Sequence, residues 1–321
     1  MPVTRSSTVA NASTNVGFVR RHVRRTLRLE KSTMMGWGLM SPAMILLLLM
    51  TVVPTLYLVY YAFRHEDLLG PKSYWVGFGN FARVLSDPNI WSDSLSTLQF
   101  VVLAVAVELV LGLLLALMLS RKLAETNLLT ALFILPLGVA PVVSALVFRV
   151  LLDPAYGWVD YYLQTWGLID QPIDWFGQPV FAWIAVIGLD VWQWTPFVAL
   201  ILLAGLQGMP SEPREAALLD GANSLQLFWY IILPFIKPFI AIALVFRTIE
   251  AFKTFASIFV LTGGGPGTST SLINLDLYRI ALQNFDIGAA SALGICFLIV
   301  LSVIMGRLLS ILGRHTDILE D

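Results

Sequence analysis

Charge is what this chain has least of: Asp, Glu, Lys and Arg make up 13 % of it, against 57 % hydrophobic residues. Soluble domains carry about a quarter of their residues charged, so this composition cannot cover a water-facing surface. A single cysteine, Cys296, excludes an intrachain disulfide framework and a cysteine-built metal site. The histidines, His22, His65 and His315, are far apart and lack ligand spacing, which argues against a metal centre or histidine-based catalysis. No G-x-x-x-x-G-K-[ST] run occurs. Gly263-Gly264-Gly265-Pro266-Gly267 has no lysine after it and reads as a turn, so the chain offers no ATP site of its own. At a net charge of −1, nothing in the composition points to nucleic acid.

What the sequence has is long apolar runs. Gly36 to Phe63 contains no charge, too long a stretch for a signal-peptide core and long enough to cross a bilayer. Five further spans meet the same criterion: about Ser94–Ser120, Asn127–Leu152, Val180–Leu206, Pro238–Leu261 and Gly288–Leu312. The chain therefore reads as an all-α, six-span membrane protein. A basic N-terminal tail covers residues 1–37, the spanning domain 38–313, and a short C-terminal tail 314–321.

Orientation follows from where the basic residues fall. With the N-terminus in the cytoplasm, that side holds Arg5, Arg20, Arg21, Arg24, Arg25, Arg28, Lys31, Arg121, Lys122, Arg214, Lys237, Arg307 and Arg314. The opposite side holds only Arg64, Lys72, Arg83 and Arg279. This positive-inside bias places both termini and the loop 207–237 in the cytoplasm. The stretch 153–179 has no Lys or Arg and carries Trp158, Tyr161, Tyr162, Trp166 and Trp175, which suits an outward aromatic belt.

The loop 207–237 is polar and helix-forming between two spans. Ser211 is placed to cap a helix with Pro213 in its first turn, and Glu215, Ala216, Ala217, Leu218 and Leu219 are good helix formers. Gly221 permits a left-handed turn that ends the helix. A second short helix is expected over about Ser224–Ile232, stopping before Leu233-Pro234. Glu215, Asp220, Asn223 and Gln226 remain on an exposed face.

Charged residues within spans point to a pathway or to an internal ion pair. Arg247, Glu250 and Lys253 follow i, i+3, i+6 spacing, so Glu250 is expected to pair with both neighbours. Asp190, Gln193 and Trp194 share a face of the fourth span. A carboxylate, an amide and an aromatic ring suit a sugar, and they suit an interhelical contact equally. Glu108 reads as a helix-packing residue. Pro54, Pro136, Pro141 and Pro196 are expected to kink their spans.

The pattern E-A-A-x₃-G-x₉-I-x-L-P from Glu215 to Pro234 resembles the EAA signature of binding-protein-dependent permeases, the membrane subunits of bacterial ABC importers. Trp75-Val76-Gly77-Phe78-Gly79-Asn80-Phe81 and Leu261-Thr262-Gly263-Gly264-Gly265-Pro266 resemble outward segments of maltose-type carbohydrate permeases. The resemblance runs over most of Leu39–Gly313 and implies the type I permease fold. It implies that Glu215, Ala216, Ala217, Asp220 and Gly221 dock on an ATPase, while Ile231, Leu233 and Pro234 close the loop. From the intramembrane residues themselves, and not from the resemblance, Asp190, Gln193, Trp194, Glu250 and Lys253 are the candidates for the substrate pathway. The implied partners are a second, different permease, an ATPase dimer and a periplasmic substrate-binding protein. ATP and Mg²⁺ would be used by the ATPase, with no cofactor on this chain and no enzymatic activity of its own. The implied cargo is a sugar, oligosaccharide or polyol, and the implied location the bacterial inner membrane. The rival is a self-contained secondary transporter or channel with Arg247, Glu250 and Lys253 as an ion relay. An intramembrane enzyme lacks any nucleophile–base pair.

Overall fold

Within hydrocarbon every backbone N–H and C=O must be paired inside the protein, so long apolar runs fold as helices. The computed structural model describes residues 37–66, 73–120 and 131–313. The sequence expectations for both tails, for Lys72, for Arg121 and Lys122, and for the start of the third span lie outside those residues. The chain divides into two units, Met1–Tyr60 and Tyr61–Asp321. The described part of the first is the greater part of helix α1, Trp37–Ala62.

The regular structure of the second unit, among the described residues, is helical apart from a short antiparallel pair, β1 (Arg64–His65) and β2 (Tyr74–Trp75). Helix α2 (Gly79–Ser86) leads into α3 (Pro88–Leu119), whose first turn is capped by the Asp87 carboxylate accepting from Asn89 N. After α4 (Ala131–Gly138) and α5 (Pro141–Leu151) come the short α6 (Trp158–Thr165) and the long α7 (Pro179–Gln207). Then follow α8 (Glu212–Leu219), α9 (Ser224–Leu227) and α10 (Leu233–Phe252). The last three are α11 (Ala256–Leu261), α12 (Ile273–Tyr278) and α13 (Ile287–Gly313). Among the described residues, five helices are long and apolar enough to span a membrane, or six if α4 and α5 together count as one span.

Two spans depart from the sequence expectation. The third is not a continuous helix: α4 and α5 meet at 102°. Pro136 and Pro141 bracket that break, and each removes an N–H donor and crowds the preceding turn. The fifth ends at Phe252, and Ala256–Leu261 forms a separate helix, because the chain turns at Lys253–Phe255.

The centre of the unit is a bundle of α3, α7 and α10. Phe100 and Ala104 of α3 pack with Ala185 and Leu189 of α7 and with Ala251 and Phe252 of α10. A second cluster joins Ala116 and Leu119 to Val198 and Leu202 and to Ile236 and Ala243. Close approach of α3 and α7 depends on Gly112, where a Cβ would lie 2.6 Å from Val198 Cγ1. Small residues at such crossings are how membrane helices gain packing contacts without a hydrophobic driving force.

The aromatic outward segment that follows β1 has a structural explanation. Asn80 is wholly buried, and its Nδ2 donates to Ala62 O at 2.9 Å and Arg64 O at 2.7 Å, satisfying carbonyls freed where α1 ends. Phe63 stacks on Trp75 at 5.7 Å and meets Phe78 and Phe81. The glycine-rich segment after α11 is a tight turn, as expected. Arg279 Nη2 donates to Gly263 O at 2.8 Å and Thr270 Oγ1 to Gly265 O at 2.7 Å. Below that turn, Thr97 Oγ1 of α3 accepts from Ile273 N, the first residue of α12. Burial and the neighbouring Asp93 carboxyl push Asp276 of α12 up to about 8, against the partial relief of Arg279.

Candidate coupling loop and intramembrane polar site

The loop between α7 and α10 is a helix–turn–helix. Helix α8 carries Glu212 and Glu215 in its first turn, where acids favour the helix dipole. Ser211 does not cap it: its backbone is already helical, and its side chain makes no cap bond. The end of α8 is a Schellman turn, with Ala222 N donating to Ala217 O at 2.9 Å and Gly221 N to Leu218 O at 3.2 Å. Gly221 sits at φ +84°, the left-handed conformation that glycine adopts without the steric cost of a Cβ. Asn223 and Gln226 then form a reciprocal capping box, Gln226 N to Asn223 Oδ1 at 2.8 Å and Asn223 N to Gln226 Oε1 at 2.9 Å. Both side chains are exposed, as the sequence expects, and each gives its oxygen to the other residue's backbone N–H.

Three exposed side chains mark what the loop presents: Leu219, Leu225 and Tyr230 are 89 %, 67 % and 79 % accessible. Glu215, Ala216, Asp220 and Gly221 are exposed as well, while Ala217 and Ile231 are half-buried against the turn. A concave surface between the two helices is lined by Ala217, Asp220, Gly221, Ala222, Gln226 and Ile231, among others.

The second helix of the loop does not stop before Pro234. It runs on from Ser224 through a π turn at Phe228–Ile232 into α10, so 29 residues from Ser224 to Phe252 are continuous. Pro234 lies in the first turn of α10, and the widened turn preceding it gives room for the proline ring where a regular helix would clash. Leu233 is half-buried and Pro234 exposed.

Deeper in the bundle, Arg247 of α10 joins two carboxylates from other helices. Its Nε pairs with Glu108 Oε2 of α3, while its Nη2 donates to Glu108 Oε1 and to Asp190 Oδ2 of α7, both at 2.7 Å. The side chains of Arg247 and Glu108 are completely buried, and Asp190 is 5 % exposed. The guanidinium also lies 4.9 Å from the centroid of the Trp194 ring, a favourable cation–π placement. Arg247 Nη1 has no hydrogen-bond partner among the described residues.

Here the sequence expectation is corrected. Glu250 does not pair with Arg247; among the described residues its ion pair is with Lys253, at 2.9 Å. Arg247 points into the bundle while the Glu250 side chain is 38 % exposed, and two buried carboxylates need a counter-charge far more than a solvated one does. Glu108, read as a packing residue, is the partner the sequence missed. The signal was available: Glu108 and Asp190 are lone carboxylates in apolar spans and must find a cation somewhere.

The five expected pathway residues do not form one face. Asp190 and Gln193 are buried, Trp194 and Glu250 are half-buried and Lys253 is exposed. Gln193 Nε2 donates to Val139 O at 2.7 Å, the carbonyl left at the break between α4 and α5. That bond explains an amide at this position by backbone satisfaction.

Comparison with known proteins places the architecture. Residues 108–318, which include the whole loop, match the model of the family described as "Binding-protein-dependent transport system inner membrane component". Among relatives, the "Trehalose/maltose transport system permease protein MalF" of Thermococcus litoralis is 36 % identical over 84 % of this chain and 90 % of its own length. The "Trehalose transport system permease protein SugA" of Mycobacterium tuberculosis is 32 % identical over 81 % and 83 %. A crystal structure of a bacterial ABC transporter involved in the import of the acidic polysaccharide alginate contains a chain of TM-score 0.78 and 25 % identity, covering 90 % of this chain and 99 % of that one. With a continuous family match and relatives that extend along nearly the full fold, this chain belongs to the binding-protein-dependent transport system inner membrane components, the multi-pass permease subunits of ABC importers.

Proposed function

We propose that this permease carries a sugar, oligosaccharide or polyol and is driven through the loop 207–237. The observation that carries the coupling reading is the loop itself, a preorganised helix–turn–helix with an exposed face, joined to α10 without interruption. On this reading Glu215, Ala216, Ala217, Asp220 and Gly221 contact an ATPase dimer on the cytoplasmic side, where positive-inside counting puts them. Ile231, Leu233 and Pro234 pass the displacement to α10. ATP and Mg²⁺ are used by that ATPase. A second permease completes the translocation pathway, and a periplasmic binding protein delivers substrate to the opposite face.

The carbohydrate reading is supported by relatives named for trehalose, maltose and alginate transport. On this chain Trp194, Glu250 and Lys253 are the expected pathway residues left accessible, with Asp190 holding the site from behind. A self-contained secondary transporter is disfavoured by the family. It is also disfavoured by the ion pairs, which tie Arg247 to Glu108 and Asp190 and leave no continuous Arg247–Glu250–Lys253 relay.

The test is Gly221→Trp in the assembled importer, reconstituted in proteoliposomes with the subunits that co-purify with this chain. The site has open space around a Cβ, so the cost falls on the left-handed backbone and on the presented surface. Membrane insertion should persist while substrate uptake is lost and ATP hydrolysis no longer responds to the binding protein. Uptake at the wild-type rate would refute the coupling role.

A further inference from the structure

Helix α6 and the turn before it are not used by the loop or the polar site, and they are built with care. Asp153 Oδ1 accepts from Ala155 N at 2.9 Å, and Gly157 N donates to Asp153 O at 2.7 Å. A Cβ on Gly157 would come within 2.4 Å of Asp153 O, so the turn closes only around glycine. The buried Asp160 carboxylate then fastens α6 to the segment ahead of α7, accepting from Ile173 N at 3.0 Å and Trp175 Nε1 at 2.9 Å.

These bonds fix the height of α6. Its inner residues, Val159 and Leu163, pack in the cluster that holds Trp175 and Phe181, and Phe181 lies in the first turn of α7. Trp175, held by Asp160, meets Phe181 at 5.8 Å, so α6 sits level with the start of α7, which is head-group depth when α7 crosses a bilayer. Its outer side is aromatic: Trp158, Tyr161 and Trp166 are 66 %, 64 % and 68 % exposed. Tyr161 lies against Tyr162 at 5.4 Å, and Tyr162 against Trp166 at 5.7 Å. A cavity of about 460 Å³ opens between this helix and the preceding turn, lined by Tyr156, Trp158, Tyr161, Tyr162 and Gln164 among others.

The charge of this region selects its ligand. Residues 153–179 contain Asp153, Asp160, Asp170 and Asp174 and no Lys or Arg. Among the described residues Arg149, at the end of α5, is the cation that bears on Tyr156; its Nη1 donates to Val260 O at 3.0 Å, and an anionic head group would still meet more carboxylates than cations. An ammonium group would meet aromatic faces and nearby carboxylates, the setting in which organic cations are held. We propose that the aromatic cavity between the Asp153–Gly157 turn and α6 is a binding site for the ammonium head group of a zwitterionic phospholipid in the adjoining leaflet. The site needs only the level of α6 at a span end, so it holds whichever side of the membrane that end faces.

The test uses the full chain, purified and delipidated, then exposed to matched phosphatidylethanolamine and phosphatidylglycerol and read by native mass spectrometry. Phosphatidylethanolamine should be retained about tenfold over phosphatidylglycerol. Trp158→Leu combined with Tyr161→Leu keeps apolar area at two exposed positions and removes the rings; retention of the two lipids should become equal. Tyr161→Phe keeps the ring and should keep the preference. Equal retention by the wild type, or a preference surviving the double Leu variant, would overturn the proposal. So would a photo-cross-linker at position 161 that attaches to a protein subunit, and not to lipid, in the assembled importer.

Discussion

Replacing Arg247 with Met is the sharpest perturbation the structure offers. The change keeps much of the side chain's apolar length and deletes three short hydrogen bonds to Glu108 and Asp190. It also removes the cation from beside Trp194. Polar contacts between membrane helices average about 0.6 kcal/mol each, so counting bonds alone gives about 2 kcal/mol. A greater loss comes from the two carboxyls left without a counter-charge in a site that solvent does not reach. Breaking a buried pair from one side costs about 3–5 kcal/mol, and this desolvated charge should dominate the outcome. A loss of that size lowers the melting temperature of the purified protein by roughly 4–7 °C. The triple variant Glu108→Gln, Asp190→Asn, Arg247→Met removes the charges together, and should recover to within about 1–2 kcal/mol of wild type. Thermal unfolding of the three proteins in one lipid environment decides the matter. If Arg247→Met melts with the wild type, or the triple variant is as unstable as the single, uncompensated charge is not what holds these helices.

Two further outcomes follow from groups at the opposite end of the bundle from the loop 207–237. Asn80→Ala deletes the donations to Ala62 O and Arg64 O, and loss of the buried bond to Ala62 O should cost about 1–3 kcal/mol; limited proteolysis should then cut near residues 64–75 first, and unchanged resistance would count against this role. Asp276 titrates at about 8 in the fold against 3.8 ordinarily, with Asp93, Asp87 and Arg279 as the charged groups that bear on it. Between those values the folded state holds more protons, so this residue makes stability fall as pH rises from 3.8 to about 8 and levels off beyond. Asp276→Asn should therefore match wild type near pH 4 and melt higher at pH 9, in paired thermal scans; an equal offset at both pH values would refute the carboxyl as its cause.

How much of this was legible in the sequence depends on what each feature rests on. Spans and loops follow from run length, because hydrocarbon leaves helices as the only way to satisfy the backbone. The turn at Gly221 was legible because one residue type serves a left-handed position there. The capping box at Asn223 and Gln226 is written in their spacing, although the same two polar side chains read equally as an exposed partner face. Pro234 misled, since a proline just after a short helical pattern reads as a stop, whereas a π turn accommodates it. That Arg247 needs a counter-charge was legible, but which residue supplies it was not, and the same holds for the partner of Gln193. Periodicity tells which residues share a face of one helix, and not which face of another helix it meets. Glu108, Asp190 and Arg247 are separated by 57 to 139 positions and meet only because three helices cross at that level.

Those crossings bear on how a displacement of the loop would reach the substrate pathway. Helix α10 begins where the loop ends, and Arg247 lies about 21 Å further along it. There α10 is tied by charge to α3 and α7, and on the loop side of that tie the cluster of Ala116, Val198, Leu202 and Ile236 binds the same three helices. Two separated attachments prevent α10 from rotating alone, so the three helices are constrained to move as one body. The break between α4 and α5 differs in kind. It is a bend of 102° at prolines, bridged to α7 by the Gln193–Val139 bond. A gating motion driven from the loop is therefore expected to keep the Arg247 ion pairs intact and to concentrate its backbone change at Gly138–Ala140. Distances between spin labels on α3 and α10 should stay constant through the transport cycle, while those between α5 and α7 change. Labels on α3 and α10 that separate on ATP binding would show that the charge cluster is a gate and not a tie.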